Sequence, residues 1–265
     1  MLNQKRIYAI IKIYSKRKIE MYNFFTDCKP TDNTFRITDS DYNHIKNVLR
    51  MRIGEKLLVS HGGVNYLCEI SEFLSDAIIV HIIKENYFDT SLPIKIHLFQ
   101  GLPKSDKLEL IIQKAVELGA HEITPVQMSR SIVKIETNKK DSKTARWNSI
   151  AESAAKQSKC AYIPTVNPPL TYAQALDKCK DMDLIVVPYE NEKGSLSTKE
   201  LLSTIRKGDK IGVIIGPEGG FEQSEIERAV NIGAKTISLG KRILRTETAA
   251  ITAVAMLMLH AEINL

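Results

Sequence analysis

The sequence lacks the short motifs that assign the commonest cofactors and metals. Its four cysteines form no C-x-x-C pair and its six histidines are scattered, so neither a zinc site nor a disulfide framework is predicted. Gly216, Gly219 and Gly220 do not have the G-x-G-x-x-G spacing, and no G-x-x-x-x-G-K-[ST] loop is present. A dinucleotide fingerprint and a phosphate-cradling loop are therefore both excluded.

Segments suited to membranes or export are also missing. The stretch from Thr248 to Ala261 carries no Asp, Glu, Lys or Arg, but it is too short to span a bilayer. It predicts a helix buried on all sides, and in a homo-oligomer part of that burial could be subunit contact. Residues 1–20 mix lysines with apolar residues and contain no uninterrupted apolar segment of signal-peptide length. Together with unpaired cysteines, this pattern fits the cytoplasm, with no membrane partner.

The positive charge is unevenly distributed along the chain. The formal net charge is +6, of which residues 1–20 carry +5, so the rest of the chain is nearly neutral. The segment 127–160 is locally basic, with eight Lys or Arg against three acids. Arg130, Lys134 and Arg146 in this segment could follow a phosphate backbone, or they could form a solvated helix face and loop. Charge alone favours neither reading.

Two patterns of strands and helices divide the chain. Leu57 to Ser60 and Tyr66 to Ile70 flank the turn His61-Gly62-Gly63, which indicates a hairpin, and a third strand follows at Ala77 to Ile83. This first part, residues 21–90, reads as a small β-barrel domain. From Leu92 onward, strands alternate with helices, which argues for a parallel α/β sheet over residues 91–265.

Two loops near the C-terminal end carry most of the functional signal. The first, Ile215 to Phe221 (IGPEGGF), follows the strand Lys210 to Ile215. The second, Leu239 to Ala249 (LGKRILRTETA), follows the short strand Thr236 to Leu239. Ligands of open α/β sheets bind at the carboxyl ends of strands, where glycines let the backbone approach closely. One such loop could be a simple tight turn, but two predict a shared pocket, and Glu218 makes a neutral or cationic ligand more suitable than a polyphosphate.

These loops resemble those of the SPOUT methyltransferases, specifically the ribosomal RNA small subunit methyltransferase E family. The resemblance covers residues 21–265 and includes MYNFF, HIKNVLR, KSDKLELIIQKAVELG and RWNSIAESAAKQ in the family's order. It implies a trefoil-knotted parallel α/β domain preceded by a PUA-like RNA-binding domain. It also makes residues 1–20 a basic extension outside the fold. At Cys160 the chain departs from similar sequences, which carry an arginine shortly after AAKQ.

The resemblance also implies the chemistry. The cofactor would be S-adenosylmethionine, the substrate N3 of a uridine in 16S rRNA of the small ribosomal subunit, and the assembly a homodimer, with no metal. A non-catalytic RNA-binding or assembly module and a methyltransferase acting on another RNA position remain as alternatives. Negative charge spreads over the uracil carbonyls when N3 loses its proton, so a fixed cation beside them would stabilise the transition state.

Arg245 is the candidate for that cation, because its guanidinium offers several donors in a rigid fork. Its alternative role is a structural ion pair with Glu247. Glu247 is a candidate proton acceptor or a helix-capping carboxylate. Glu218 is a second candidate acceptor, with turn stabilisation as its alternative. The sequence does not rank these two acids.

The remaining site residues follow from the resemblance. The cofactor would be held by the two loops and by the strand end at residues 188–190, where an adenine slot and an ordinary core look alike in sequence. The cofactor-binding candidates are Pro188, Tyr189, Ile215, Gly216, Gly220, Leu239, Gly240, Ile243 and Leu244. The RNA-binding candidates are Lys46, Arg50, Arg52, Arg130, Lys134 and Arg146. The first three lie at the end of a helix predicted over residues 39–50, with its cap at Thr38 or Asp39, and surface solubility is their alternative role.

Overall fold

The computed structural model describes residues 21–104, 106–189 and 198–265. The basic extension predicted at residues 1–20 lies outside these ranges, as does Glu190. The chain divides into two compact units between Tyr87 and Phe88, and each is described by itself.

The first unit is a five-stranded sheet with one helix. The strand order is β1-β3-β4-β5-β2, and β3 and β4 form an antiparallel hairpin around Gly62 and Gly63, with His61 opposite Val64. The predicted hairpin is thereby confirmed. The strands are β1 (Asn23–Phe25), β2 (Thr34–Ile37), β3 (Lys56–His61), β4 (Val64–Phe73) and β5 (Ile78–Lys84).

The helix of this unit differs in detail from the prediction of one helix over residues 39–50. Helix α1 (Asp39–Asn43) continues into a π turn, His44–Val48, because the Leu49 amide bonds to the His44 carbonyl five residues earlier. Thr38 occupies the N-cap position, but its hydroxyl bonds to the Asp39 carboxylate at 2.6 Å and caps no backbone amide. Arg50 then adopts a left-handed conformation with φ of 53°.

The second unit is a parallel sheet flanked by helices, which confirms the predicted α/β class. Its strand order is β12-β10-β11-β6-β7-β8, and β9 also pairs with β7. The strands are β6 (Lys95–Gly101), β7 (Ala120–Gln127), β8 (Thr165–Val166), β9 (Leu170–Thr171), β10 (Leu184–Pro188), β11 (Lys210–Ile215) and β12 (Lys235–Ile237). The helices described are α2 (Lys107–Glu117), α3 (Lys140–Ser158), α4 (Tyr172–Cys179), α5 (Thr198–Thr204), α6 (Gln223–Asn231) and α7 (Thr246–Asn264).

The central strands are buried on both faces, as expected for a parallel sheet covered by helices. In β6 and β11 every residue after the first lysine is buried. Helix α2 covers the sheet with apolar residues at helical spacing, and these buried residues are Leu108, Ile111, Ile112, Ala115 and Val116.

Helix α7 packs against α2, β6 and β11, but it is not buried on all sides as predicted. One stripe faces the unit, represented by Ala250, Val254 and Leu257. On the opposite side, Leu259 is 51% exposed and Ile263 is 73% exposed, because none of the residues that the structure describes covers that face. No helix in the part of the chain that the structure describes combines the length and apolarity needed to cross a membrane.

Candidate active site

The two predicted loops meet at one edge of the parallel sheet. The glycine loop, defined here as Gly216–Phe221, follows β11, and the second loop, Ser238–Arg245, follows β12 and leads into α7. Strand β10 lies between β11 and β12 and is parallel to both. Its carboxyl end at Pro188 therefore reaches the same edge.

A cavity of about 740 Å³ opens where these three strand ends meet. This volume is within the range of small-molecule sites. All nine residues predicted to bind a cofactor line it: Pro188, Tyr189, Ile215, Gly216, Gly220, Leu239, Gly240, Ile243 and Leu244. Glu218 and Arg245 line it as well. Glu247, in the first turn of α7, is not one of the lining residues.

The glycine loop is held by close backbone contacts. A Cβ on Gly101, at the end of β6, would lie 2.6 Å from the Pro217 nitrogen. A Cβ on Gly219 would lie 2.9 Å from the Cβ of Arg130. Real Cβ atoms do not approach other atoms this closely, so both positions need glycine for the loop to keep this place.

A buried polar chain joins the glycine loop to the start of α7. The Gln100 amide nitrogen donates to the Thr246 hydroxyl at 2.9 Å, and this hydroxyl donates to the Gly216 carbonyl at 2.6 Å. Gln100 and Thr246 are both buried, where an unpaired polar group would be costly. These two hydrogen bonds therefore fix the distance between the two loops. Gln100 belongs to no local motif, and Thr246, within LGKRILRTETA, was not among the predicted site residues.

The second loop presents backbone donors to the cavity. Within the described ranges, the N–H groups of Leu239, Ile243 and Leu244 have no hydrogen-bond partner. Ile243 is 83% exposed although it is large and apolar. Free amides beside apolar side chains fit a ligand with a flat aromatic base and polar edges.

Arg245 occupies the N-cap position of α7 and lines the cavity. Its side chain forms no hydrogen bond or ion pair with any residue that the structure describes. In particular, the alternative ion pair with Glu247 is not formed, because the ion-pair partner of Glu247 is Lys107. The guanidinium is therefore available to a substrate.

Glu218 and Glu247 converge on Lys107, the first residue of α2. The Lys107 ammonium lies 2.9 Å from a Glu218 oxygen and 3.6 Å from Oε2 of Glu247. Glu218 also accepts the Lys104 N–H at 3.0 Å. Partial burial acts to raise the pKa of Glu218, but the hydrogen bonds from Lys107 and the Lys104 backbone outweigh it and lower the pKa. Lys107 was missed in sequence analysis because it lies 111 residues from Glu218.

The RNA-binding candidates of the second unit are in different environments. Arg130 lines the cavity and donates to the Gly219 carbonyl at 3.2 Å. Lys134 is exposed. Arg146 forms a two-pronged pair with Glu109, at 2.8 Å and 2.9 Å, and its side chain remains 67% exposed. The structure therefore brings only Arg130 to the cavity.

The first unit exposes Lys46, Arg50 and Arg52. Lys46 donates to the Tyr42 hydroxyl and lies over the Tyr42 ring. Arg50 lines a second cavity of about 430 Å³ within this unit.

No cluster of His, Cys, Asp or Glu suited to a metal occurs among the described residues. Cys160, the departure from the expected arginine, is buried, and burial raises the pKa of its thiol.

Two family models match the chain. An RNA methyltransferase domain matches residues 90–258, and an RNA methyltransferase PUA domain matches residues 37–83. The fold and the site, with paired loops at the carboxyl edge of a parallel sheet, agree with these matches. The protein is thus an RNA methyltransferase with a SPOUT-type α/β domain and a PUA domain.

Similarity to individual proteins identifies the family within the RNA methyltransferases. The chain is 38% identical over 234 residues to ribosomal RNA small subunit methyltransferase E of Bacillus subtilis, covering 87% of this chain and 91% of that protein. The Neisseria gonorrhoeae protein of the same name, solved with bound S-adenosylmethionine, is 31% identical, with a TM-score of 0.77 over 91% of this chain and 98% of that one. A Legionella pneumophila methyltransferase, also solved with S-adenosylmethionine, is 29% identical, with a TM-score of 0.78 and the same coverage. The chain belongs to the ribosomal RNA small subunit methyltransferase E family.

Proposed function

We propose that this protein transfers the methyl group of S-adenosylmethionine to N3 of a uridine in 16S rRNA of the small ribosomal subunit. The observation that carries the proposal is the cavity between the two loops, which has an unpaired guanidinium, that of Arg245, at its wall. The names of the relatives support ribosomal RNA as the substrate. The cofactor of the solved neighbours supports S-adenosylmethionine. An rRNA substrate also agrees with a cytoplasmic location.

The lining of the cavity fits this cofactor. Leu239, Ile243 and Leu244 provide apolar surface and free N–H donors, and the glycine loop leaves room for a ligand to approach the backbone. When bound, S-adenosylmethionine supplies an electrophilic methyl group on a sulfonium. The two loops would hold the cofactor, and their fixed separation would serve the in-line alignment that methyl transfer requires.

Arg245 would act on the uridine. Loss of the N3 proton leaves negative charge on the two uracil carbonyl oxygens, and a guanidinium can donate to one of them from a fixed position. Because Arg245 has no partner among the described residues, it would not need to break an ion pair to do so. Its charge would therefore be available as the transition state develops.

The test is direct mapping of the modified nucleotide. The protein is incubated with radiolabelled S-adenosylmethionine and small subunits from a strain that lacks the enzyme, and the labelled position is identified by mass spectrometry. Label at N3 of one uridine is the expected result. Label at a carbon or ribose position, or in transfer RNA alone, would contradict the proposed substrate. Absence of cofactor binding with intact RNA binding would instead indicate a non-catalytic module.

The exposed basic residues of each unit are proposed contacts for the RNA. Lys46, Arg50 and Arg52 in the first unit and Lys134 and Arg146 in the second are exposed and would contact phosphates. Arg130 would contact RNA at the cavity itself. Such contacts predict that binding weakens steeply as salt concentration rises.

We also propose a homodimer formed through the uncovered face of α7. Leu259→Glu combined with Ile263→Glu should weaken self-association by at least about tenfold, because each charge would be buried without a partner. Val230→Glu is the matched control, since Val230 is 47% exposed on a different helix, α6. Analytical ultracentrifugation at micromolar concentration measures the effect. A monomeric wild-type protein with full activity would refute the dimer.

A further inference from the structure

We propose that Lys107 is a positioning residue of the methyl-transfer site, whose ammonium clamps the glycine loop to the first turn of α7 by holding Glu218 and Glu247 together. On this proposal neither carboxylate accepts the substrate proton. The inference rests on the proposed function, since it concerns the same cavity.

The clamp joins three segments that are far apart in the sequence. Lys107 begins α2, Glu218 belongs to the glycine loop, and Glu247 lies in the first turn of α7. The two nitrogen–oxygen distances are 2.9 Å and 3.6 Å. The side chains of Lys107, Glu218 and Glu247 are 33%, 25% and 16% exposed, so the group is partly withdrawn from solvent. Screening by water is correspondingly incomplete.

Removal of the lysine would leave two carboxylates facing each other with no cation between them. Glu218 would keep its hydrogen bond from the Lys104 backbone. Glu247 would lose its one ionic partner among the described residues, and its buried Oε2 atom already lacks a hydrogen bond. Like charges in this position repel. The Thr246–Gly216 hydrogen bond would still join the glycine loop to the start of α7, but the Glu218 and Glu247 side chains would move apart.

This movement would affect the binding of both the cofactor and the uridine. Glu218 sits within the loop that lines the cofactor cavity, and Glu247 follows Arg245 by two residues at the start of the same helix. Lys107 itself lines the cavity as well, and on this proposal its effect on cofactor and substrate passes through these two carboxylates. A carboxylate whose pKa is lowered by donors is also a weak base at neutral pH, which is why Glu218 is better suited to holding the loop than to proton transfer.

The experiment compares Lys107→Met and Lys107→Arg with Lys114→Met. Lys114 is a matched control because it lies on the same helix, pairs with Glu117 at 2.8 Å and has a similar exposure of 38%, but does not line the cavity. Calorimetry with S-adenosylmethionine alone gives cofactor affinity, and steady-state kinetics give KM for the cofactor and kcat. The Met variant should bind the cofactor about tenfold more weakly, Arg should restore it to within about threefold, and the control should stay within about twofold of wild type.

A double-mutant cycle completes the test. If Lys107 acts through Glu218, Lys107→Met should reduce cofactor affinity much less in a protein that already carries Glu218→Gln than in the wild type. Unchanged cofactor affinity and KM in Lys107→Met would overturn the proposal, as would a loss that Lys107→Arg fails to rescue. A merely structural role would lower the melting temperature and the active fraction but leave KM unchanged. If the wild-type protein itself neither binds the cofactor nor methylates RNA, it is the proposed function that fails.

Discussion

Arg245→Ala is expected to slow methyl transfer by roughly 10²–10³-fold, the size of effect that follows removal of one preorganised donor to a developing oxyanion. The guanidinium lines the cavity and has no partner among the described residues, so its removal breaks no structural ion pair. Cofactor affinity should change little, because the loop backbones supply most of that binding. Arg245→Lys should recover only part of the rate, since a point charge does not reproduce the planar fork.

Single-turnover rates, cofactor affinity and melting temperature are to be measured on one preparation. Arg206→Ala is a suitable control because Arg206 is an exposed arginine just before β11, at the opposite end of that strand from the cavity. It should leave all three quantities near their wild-type values. A normal single-turnover rate in Arg245→Ala would end the catalytic assignment, whereas a lowered melting temperature with normal turnover would make Arg245 structural.

Gly101→Ala should weaken cofactor binding by up to about 150-fold, the limit reached if the whole of the roughly 1–3 kcal/mol that overpacking costs the fold opposes binding. The added Cβ would lie 2.6 Å, 2.8 Å and 2.9 Å from the Pro217 nitrogen, the Pro217 Cδ and the Gly216 carbonyl carbon. Two of these atoms are backbone, and the third belongs to a rigid ring. The clash is relieved only if the glycine loop moves away from β6, and this movement deforms the cavity.

Gly212→Ala provides the matched control in the neighbouring strand β11. There the nearest atom to an added Cβ is the Met182 Cγ at 3.2 Å, which belongs to a flexible side chain. Calorimetry with S-adenosylmethionine and thermal unfolding should show a loss of affinity for Gly101→Ala that Gly212→Ala does not share. Equal affinities of the two variants would mean that the loop adapts without cost.

The sequence predicted where the site lies better than it predicted what holds the site together. The two loops could be assigned to one pocket because parallel strands end at a common edge. Lys107 and Gln100 could not be found in this way, since Gln100 contacts Thr246 from 146 residues away. Neither residue belongs to a local motif. Only the folded chain shows that they meet the loops.

Local sequence patterns also left the role of some residues open, because the same residue type occurs in two different environments. The basic stretch made Arg130 a candidate RNA contact, and the structure adds that its side chain packs on Gly219 and donates to that carbonyl. The apolar stretch from Thr248 to Ala261 predicted a helix buried on all sides, in part by subunit contact, and Leu259 within it is 51% exposed in the single chain. The π turn at His44–Val48 lies within the helix predicted over residues 39–50, and no local pattern in the sequence distinguishes it from an α-helix.

The hydrogen bonds from Gln100 to Thr246 and from Thr246 to Gly216 also determine when the cavity can form during synthesis. Strands β6 and β11 are complete once residue 215 has been synthesised. The Thr246 hydroxyl, which links the ends of these strands to α7, is synthesised about thirty residues later. Contacts of such high sequence separation form late and slowly in folding. A nascent chain stalled before α7 would therefore hold most of the sheet but no closed cofactor site, so cofactor binding would report completed translation of this domain.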